Sequence, residues 1–244
     1  MRVSQVTLDD TGRHGGMSSC SEAVGHKTVV VVDVLRAFTV AALALDARAR
    51  AVRCVRTVDE ALAERAANPG SLAMGEVNRG RRVPGFDLGN SPTELAGADL
   101  EGRLLVQRTS AGTQGLVGAA RSAEVLFAAS FVCAGATARA VAAVQPVDVT
   151  FVLTGVDERN GDEDRACADY IAALLTGGDA DPEPYLRRVR ASDAAQAFTG
   201  NNDSDFPVSD LEHAIRLDAV DVALRADVRG KHPTLTAYTP PARA

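Results

Sequence analysis

Three acidic positions stand where an apolar, strand-like run gives way to a loop. "VVVVDVLRAF" (29–38) runs four valines into Asp33, with Arg36 three residues on. "SLAMGE" (71–76) ends on Glu76, and "VTFVLTG" (149–155) leads towards Asp162, Glu163 and Asp164. Carboxylates from separate strands, with no histidine close by in sequence, suit a hard, oxygen-preferring cation such as Mg²⁺. Arg36, Arg79 and Arg108 fall at or near the same edge. "TSAGT" (109–113) opens a helix whose free N–H groups at Gly112 and Thr113 can hold an oxyanion. A hard cation, arginines and a helix N-terminus together describe a phosphate site.

Each piece also has a plainer reading. Asp33 could cap the next helix, with Arg36 paired to it on the surface. Glu76 could solvate a loop, and "TSAGT" could be an ordinary turn. "DEDRACADY" could be the acidic first turn that a helix dipole favours. The joint occurrence at the carboxyl ends of several strands is what points to a ligand site, because open α/β sheets bind ligands there.

The elements that must position these residues follow a βαβ rhythm. Strands are expected at 2–8, 27–33, 49–55, 71–76, 102–108, 123–130 and 147–155, with a late one at 219–225. Helices alternate with them. Thr57 and Glu60 form a capping box, and Ser91 with Pro92 and Glu94 reads as a helix start. The expected fold is α/β, a mostly parallel or mixed sheet flanked by helices. One compact unit over residues 1–244 is expected, with a smaller C-terminal lobe from about 179 as the alternative division.

The chain has 244 residues, 46% of them apolar, no tryptophan and a formal charge of −6. That charge argues against a nucleic-acid partner, and no apolar run is long enough to span a bilayer. A cytoplasmic protein with free thiols at Cys20, Cys54, Cys133 and Cys167 is expected, since no Cys-x-x-Cys occurs. His14, His26, His213 and His232 show no zinc spacing. Neither a Gly-x-Gly-x-x-Gly nor a P-loop pattern is present, so a nucleotide fold is not indicated.

"VVVVDVLRAFTV", "GEVNRGRRVPGFDLGNSPTEL", "RTSAGTQGL", "AASFVCAGATARAV" and "VLTGVDERNGDED", in that order, resemble the 2-phosphosulfolactate phosphatase family. "GFDLGNSP" is the most specific block. The resemblance implies a three-layer α/β fold and a Mg²⁺-dependent release of phosphate from 2-phosphosulfolactate to give sulfolactate, a step in coenzyme M synthesis. Where the family carries asparagines this chain has Ala111 and Cys133, and the arginine that usually follows the Gly-Glu pair stands at Arg79. Pattern and resemblance together assign Asp33, Arg36 and Glu76 to catalysis, and Asp33, Glu76 and Asp164 to Mg²⁺. Asn90, Ser91, Thr109, Ser110, Gly112, Thr113 and Ser130 are assigned to a small phosphate ester. The alternative is a small-anion metabolite-binding protein on the same scaffold. A homo-oligomer is left open.

Overall fold

The structure, a computed structural model, describes residues 1–8, 27–155, 161–177, 180–200 and 203–240. His14, Cys20, His26 and the "VDERN" part of the last quoted block lie outside the described residues.

The valine run forms β2 (Lys27–Val32). Its residues alternate between two cores. Val29 and Val31 pack with Phe38, Val40 and Leu116, whereas Val30 and Val32 pack with Phe127, Val141 and Ile171. A strand buried on both faces has no polar side, so its sequence reads as a continuous apolar run. Helix α1 (Ala37–Asp46) and α4 (Gly112–Ala119) cover one face. The other is covered by α5 (Ala134–Ala143), α6 (Asp162–Leu175), α7 (Glu183–Ala191), α8 (Asp193–Thr199) and α9 (Val208–Ala214). A third cluster packs Ala61 of α2 (Val58–Ala67) against Ala73, Leu104 and Val106. The layering is thus helix, sheet, helix.

The remaining strands are β1 (Arg2–Thr7), β3 (Ala51–Cys54), β4 (Leu72–Val77), β5 (Arg81–Arg82), β6 (Leu104–Arg108), β7 (Val125–Ala129), β8 (Asp148–Leu153), β9 (Ala223–Asp227) and β10 (Thr234–Tyr238). Their order in one ten-stranded sheet is β1-β8-β2-β7-β9-β10-β3-β6-β4-β5. The sheet is mixed: β1, β8, β2 and β7 form one parallel set and β3, β6 and β4 another. The antiparallel β9 and β10 join the two sets. The expected late strand at 219–225 is β9, shifted towards the C-terminus, and β10 was not anticipated. Both caps form as expected. Thr57 and Glu60 bond reciprocally, and the Ser91 side chain accepts from Glu94 N–H ahead of the short α3 (Pro92–Leu95).

This topology changes the picture of one shared edge. Three antiparallel pairings separate the two parallel sets, so the sets run in opposite senses along the pairing order. A twist of roughly 20–25° per strand pair accumulates to roughly 100–125° over the five steps from β2 to β6. That rotation turns the carboxyl ends of the second set back towards those of the first.

Candidate active site

Both sets of strand ends open into one cavity of about 380 Å³. Asp33 reaches it from β2, Glu76 from β4, Thr109 and Ser110 from the β6–α4 loop, and Thr154 from β8. Arg36, Arg79, Asn90, Glu163 and Asp164 also line it.

Asp33 is anchored at both carboxylate oxygens. Its Oδ1 accepts from Ala37 N–H at 2.8 Å, and Thr154 Oγ1 lies 3.2 Å from Oδ2. It therefore satisfies the first N–H of α1, although the N-cap position itself is Arg36 and makes no side-chain cap bond, while its carboxylate also lines the cavity. Asp164, in the first turn of α6, accepts from Val34 N–H at 2.8 Å and Gly155 N–H at 3.1 Å. The same Thr154 Oγ1 lies 3.2 Å from Asp164 Oδ2 and 3.1 Å from Val32 O. One hydroxyl has one proton. It donates to one of these three oxygens at a time, and neither Asp33 nor Asp164 has an ion-pair partner among the described residues.

The electrostatics say the same. Burial, and less strongly the Glu76 charge, push Asp33 up to about 6 against its hydrogen bonds to Ala37, Thr154 and Gly112. Burial first, then the charges of Glu163 and Asp33, hold Asp164 well above the usual carboxylate range. Burial and the charges of Asp33 and Asp162 push Glu163 up to about 7. Glu163 Oε2 has no hydrogen-bond partner among the described residues. The cavity thus gathers buried acids that resist ionising together.

Glu76 is differently engaged. Its Oε1 accepts from Ser110 N–H, and its Oε2 from Gly80 N–H at 2.7 Å and Ser110 Oγ at 3.0 Å. These bonds tie the loop after β4 to the loop after β6. Arg108 adds a bond from Nη1 to Glu76 O at 2.7 Å and does not line the cavity.

Arg36 is not a surface partner of Asp33. It is 4% exposed and donates from Nη1 to Asp210 Oδ2 at 2.6 Å and to Asp205 O at 2.7 Å. Its guanidinium lies 5.2 and 5.1 Å from the ring centres of Phe198 and Phe206. Arg79 follows Asn78 in the left-handed region (φ 50° and 60°), and this backbone places it on the rim.

Four expected substrate residues stand behind the lining. Gly112 N–H faces the Asp33 carboxylate, and Thr113 N–H donates to Thr109 Oγ1 at 3.0 Å. The anion that this helix start meets is Asp33 itself. Ser91 caps α3 and donates to Asp210 Oδ1 at 2.8 Å. Ser130 is fully buried, and its Oγ has no partner among the described residues. Asn90, by contrast, lines the cavity with its Oδ1 likewise unpartnered. Of the two positions that replace family asparagines, Ala111 lines the cavity and Cys133 is buried beside Thr137 and Ser130.

Sequence reasoning did not assign Thr154, Glu163, Phe198, Phe206 or Asp210. Thr154 and Glu163 sat in quoted blocks and were available from strand-end position. The other three belong to C-terminal elements whose spacing carries no site signal.

Residues 18–228 match the 2-phosphosulpholactate phosphatase family. The chain belongs to this family. By that membership it is a phosphoric monoester hydrolase. It is similar to three proteins named probable 2-phosphosulfolactate phosphatase. The one from Bacillus subtilis is 31% identical over 207 residues, 84% of this chain and 90% of that protein. The one from Deinococcus radiodurans is 41% identical over 146 residues, 60% of each chain. The one from Carboxydothermus hydrogenoformans is 42% identical over 149 residues, 61% of this chain and 60% of that protein. The last two alignments therefore span less than two thirds of either relative. Among the described residues no helix is long and apolar enough to cross a membrane, and Cys54, Cys133 and Cys167 are free and buried.

The remaining question at the site is the cation. Among the described residues no three His, Cys, Asp or Glu side chains form a ready-made metal cage. Mg²⁺ does not require one. It is commonly held by one or two carboxylates plus substrate phosphate, and it keeps several waters. The Asp33–Asp164 pair, buried together in an acidic cavity with neutral donors and no cation against it among the described residues, fits that mode.

Proposed function

We propose that this protein hydrolyses a small phosphate monoester bearing further acidic groups, with 2-phosphosulfolactate as the first candidate, in a Mg²⁺-dependent reaction. The observation that carries the reading is the pair of buried carboxylates, Asp33 and Asp164, sharing one Thr154 hydroxyl in a cavity that also holds Arg36 and Arg79. Such a cavity is too acidic to attract a phosphate dianion by itself. Asp33 and Asp164 would hold the cation, which when bound neutralises phosphoryl charge and polarises the ester.

The protein's own groups do the rest by position. Arg36 Nε and Nη2 have no hydrogen-bond partner among the described residues, and they would take phosphoryl oxygens. Arg79 and Asn90 would take the acid groups at the substrate's other end. Both Asp33 oxygens already meet donors, which favours water over Asp33 as the attacking group. Water attacks phosphorus in line, the P–O bond to sulfolactate breaks, and the water's second proton ends on the leaving oxygen. Phosphoryl transfer of this kind needs chiefly positioning and charge stabilisation.

Colorimetric phosphate release from a panel of small phosphate esters tests the reading. Turnover of 2-phosphosulfolactate or a close acidic analogue is expected. Tight binding of these esters without phosphate release would instead favour the anion-binding alternative, to which Ala111 in the cavity wall lends weight.

A further inference from the structure

The Arg36 guanidinium is held by hydrogen bonds at Nη1 and by two aromatic rings that line the cavity beside it. The two rings pack together against it, at 5.2 Å from Phe198 and 5.1 Å from Phe206, with their own centres 5.4 Å apart. Both protons of Nη1 have acceptors, Asp210 Oδ2 and Asp205 O. Asp210 is itself fully buried and cannot swing. Its Oδ1 accepts from Ser91 Oγ at 2.8 Å and from Thr93 N–H at 3.0 Å. One carboxylate therefore connects the β2–α1 loop, the start of α3 and helix α9, which are remote in sequence.

We infer that Asp210 is the positioning residue of Arg36: it fixes the guanidinium so that Nε and Nη2 present to the cavity in one orientation. This rests on the proposal that Arg36 holds the phosphoryl group. Arginine is long and flexible, and left alone it would sample many rotamers. A charge-assisted bond at 2.6 Å, backed by two further donors on the opposite oxygen, removes that freedom before substrate arrives. Preorganised donors act without reorganising during the reaction, which is where electrostatic stabilisation is gained. The rival role is purely structural, with the Arg36–Asp210 pair stapling α9 to the sheet.

A double-mutant cycle on the purified full chain separates the two. Asp210→Asn keeps the shape and removes the charge. It is expected to lower kcat/KM for phosphate release by about 10- to 100-fold, since a misplacement of about 1 Å can cost about 10²-fold. In an Arg36→Ala background the same change is expected to cost less than about twofold more, because its only route to the substrate is gone. Losses that multiply, or an Asp210→Asn enzyme with a lowered melting temperature and normal kcat/KM, would overturn the inference. Should Asp210→Asn not fold, Asp210→Glu asks the same question by displacing the charge by one methylene, and the same two outcomes apply. Near-wild-type turnover by Arg36→Ala would overturn the role of Arg36 as well. A strong Arg36→Ala defect with a normal Asp210→Asn enzyme would overturn only the inference about Asp210.

Discussion

Gly112 stands directly against Asp33: a β-carbon on Gly112 would lie 2.5 Å from Asp33 Oδ2 and 2.6 Å from Ala37 Cβ. Asp33 itself is pinned by Ala37 N–H and cannot retreat without losing the bond to the first N–H of α1. Gly112→Ala is therefore expected to push the carboxylate out of its place. Overpacking of this kind costs about 1–3 kcal/mol, and turnover should fall further than the loss of folded protein explains. Thermal melting and kcat on one preparation check this. A Gly112→Ala enzyme of normal stability and normal kcat would show that the contact is soft.

Asp33→Asn separates the hold on the start of α1 from catalysis. An Asn Oδ1 can still accept from Ala37 N–H, so the start of α1 should survive. Turnover should fall by at least about 10²-fold, or about 2.7 kcal/mol of transition-state stabilisation. The melting temperature of the metal-free protein should hold or rise, since one of several crowded buried acids loses its charge. Near-normal turnover would remove Asp33 from the mechanism.

The metal-free fold should gain stability as pH falls from about 8 to about 5. Asp33 is pushed up to about 6 and Glu163 up to about 7, mainly by burial, and Asp164 is raised well above the usual range for the same reason. Unfolded, these groups titrate near about 4. A carboxyl with a raised folded pKa holds its proton more tightly when folded. Folding then takes up protons between about pH 4 and pH 7, and stability rises as pH falls through that window. Mg²⁺ should raise the melting temperature more at pH 8 than at pH 5.5, because it binds the ionised pair. A stability that is flat or falls over this range would contradict the crowding of these acids.

Selectivity should be loose at the Ala111 wall. A site that lacks a polar partner discriminates less against analogues without the matching group. The preference for 2-phosphosulfolactate over phospholactate-like esters is expected to stay below about 10³-fold. Ala111→Asn should raise it by roughly tenfold, about one hydrogen bond's net contribution. A wild-type preference above that limit would mean that other groups read the sulfonate.

The carboxylates were legible in the sequence because burial writes itself into strand pattern. Four valines can end on Asp33 only where the chain leaves the core, and the same reasoning holds for Glu76 and for Asp164 beyond β8. Neighbouring polar residues were less legible, since sequence does not say which way a loop side chain turns. Asn90 faces the cavity and Ser91 turns to Asp210. The α4 start was read as an anion site, and the anion proves to be Asp33. Phe198, Phe206 and Asp210 carried no sequence signal, because their place depends on how α8 and α9 fold back across the sheet. The reversal between the two parallel sets was hidden for a related reason: it depends on β9 and β10, and β10 was not anticipated.

The most direct test of the central claim is phosphate release from 2-phosphosulfolactate by the purified protein after exhaustive chelation, and again after Mg²⁺ is restored. No release is expected from the chelated protein, with recovery on Mg²⁺ or Mn²⁺ and one sulfolactate formed per phosphate. Full turnover in the chelated protein, or no phosphate release with Mg²⁺ present, would contradict that claim.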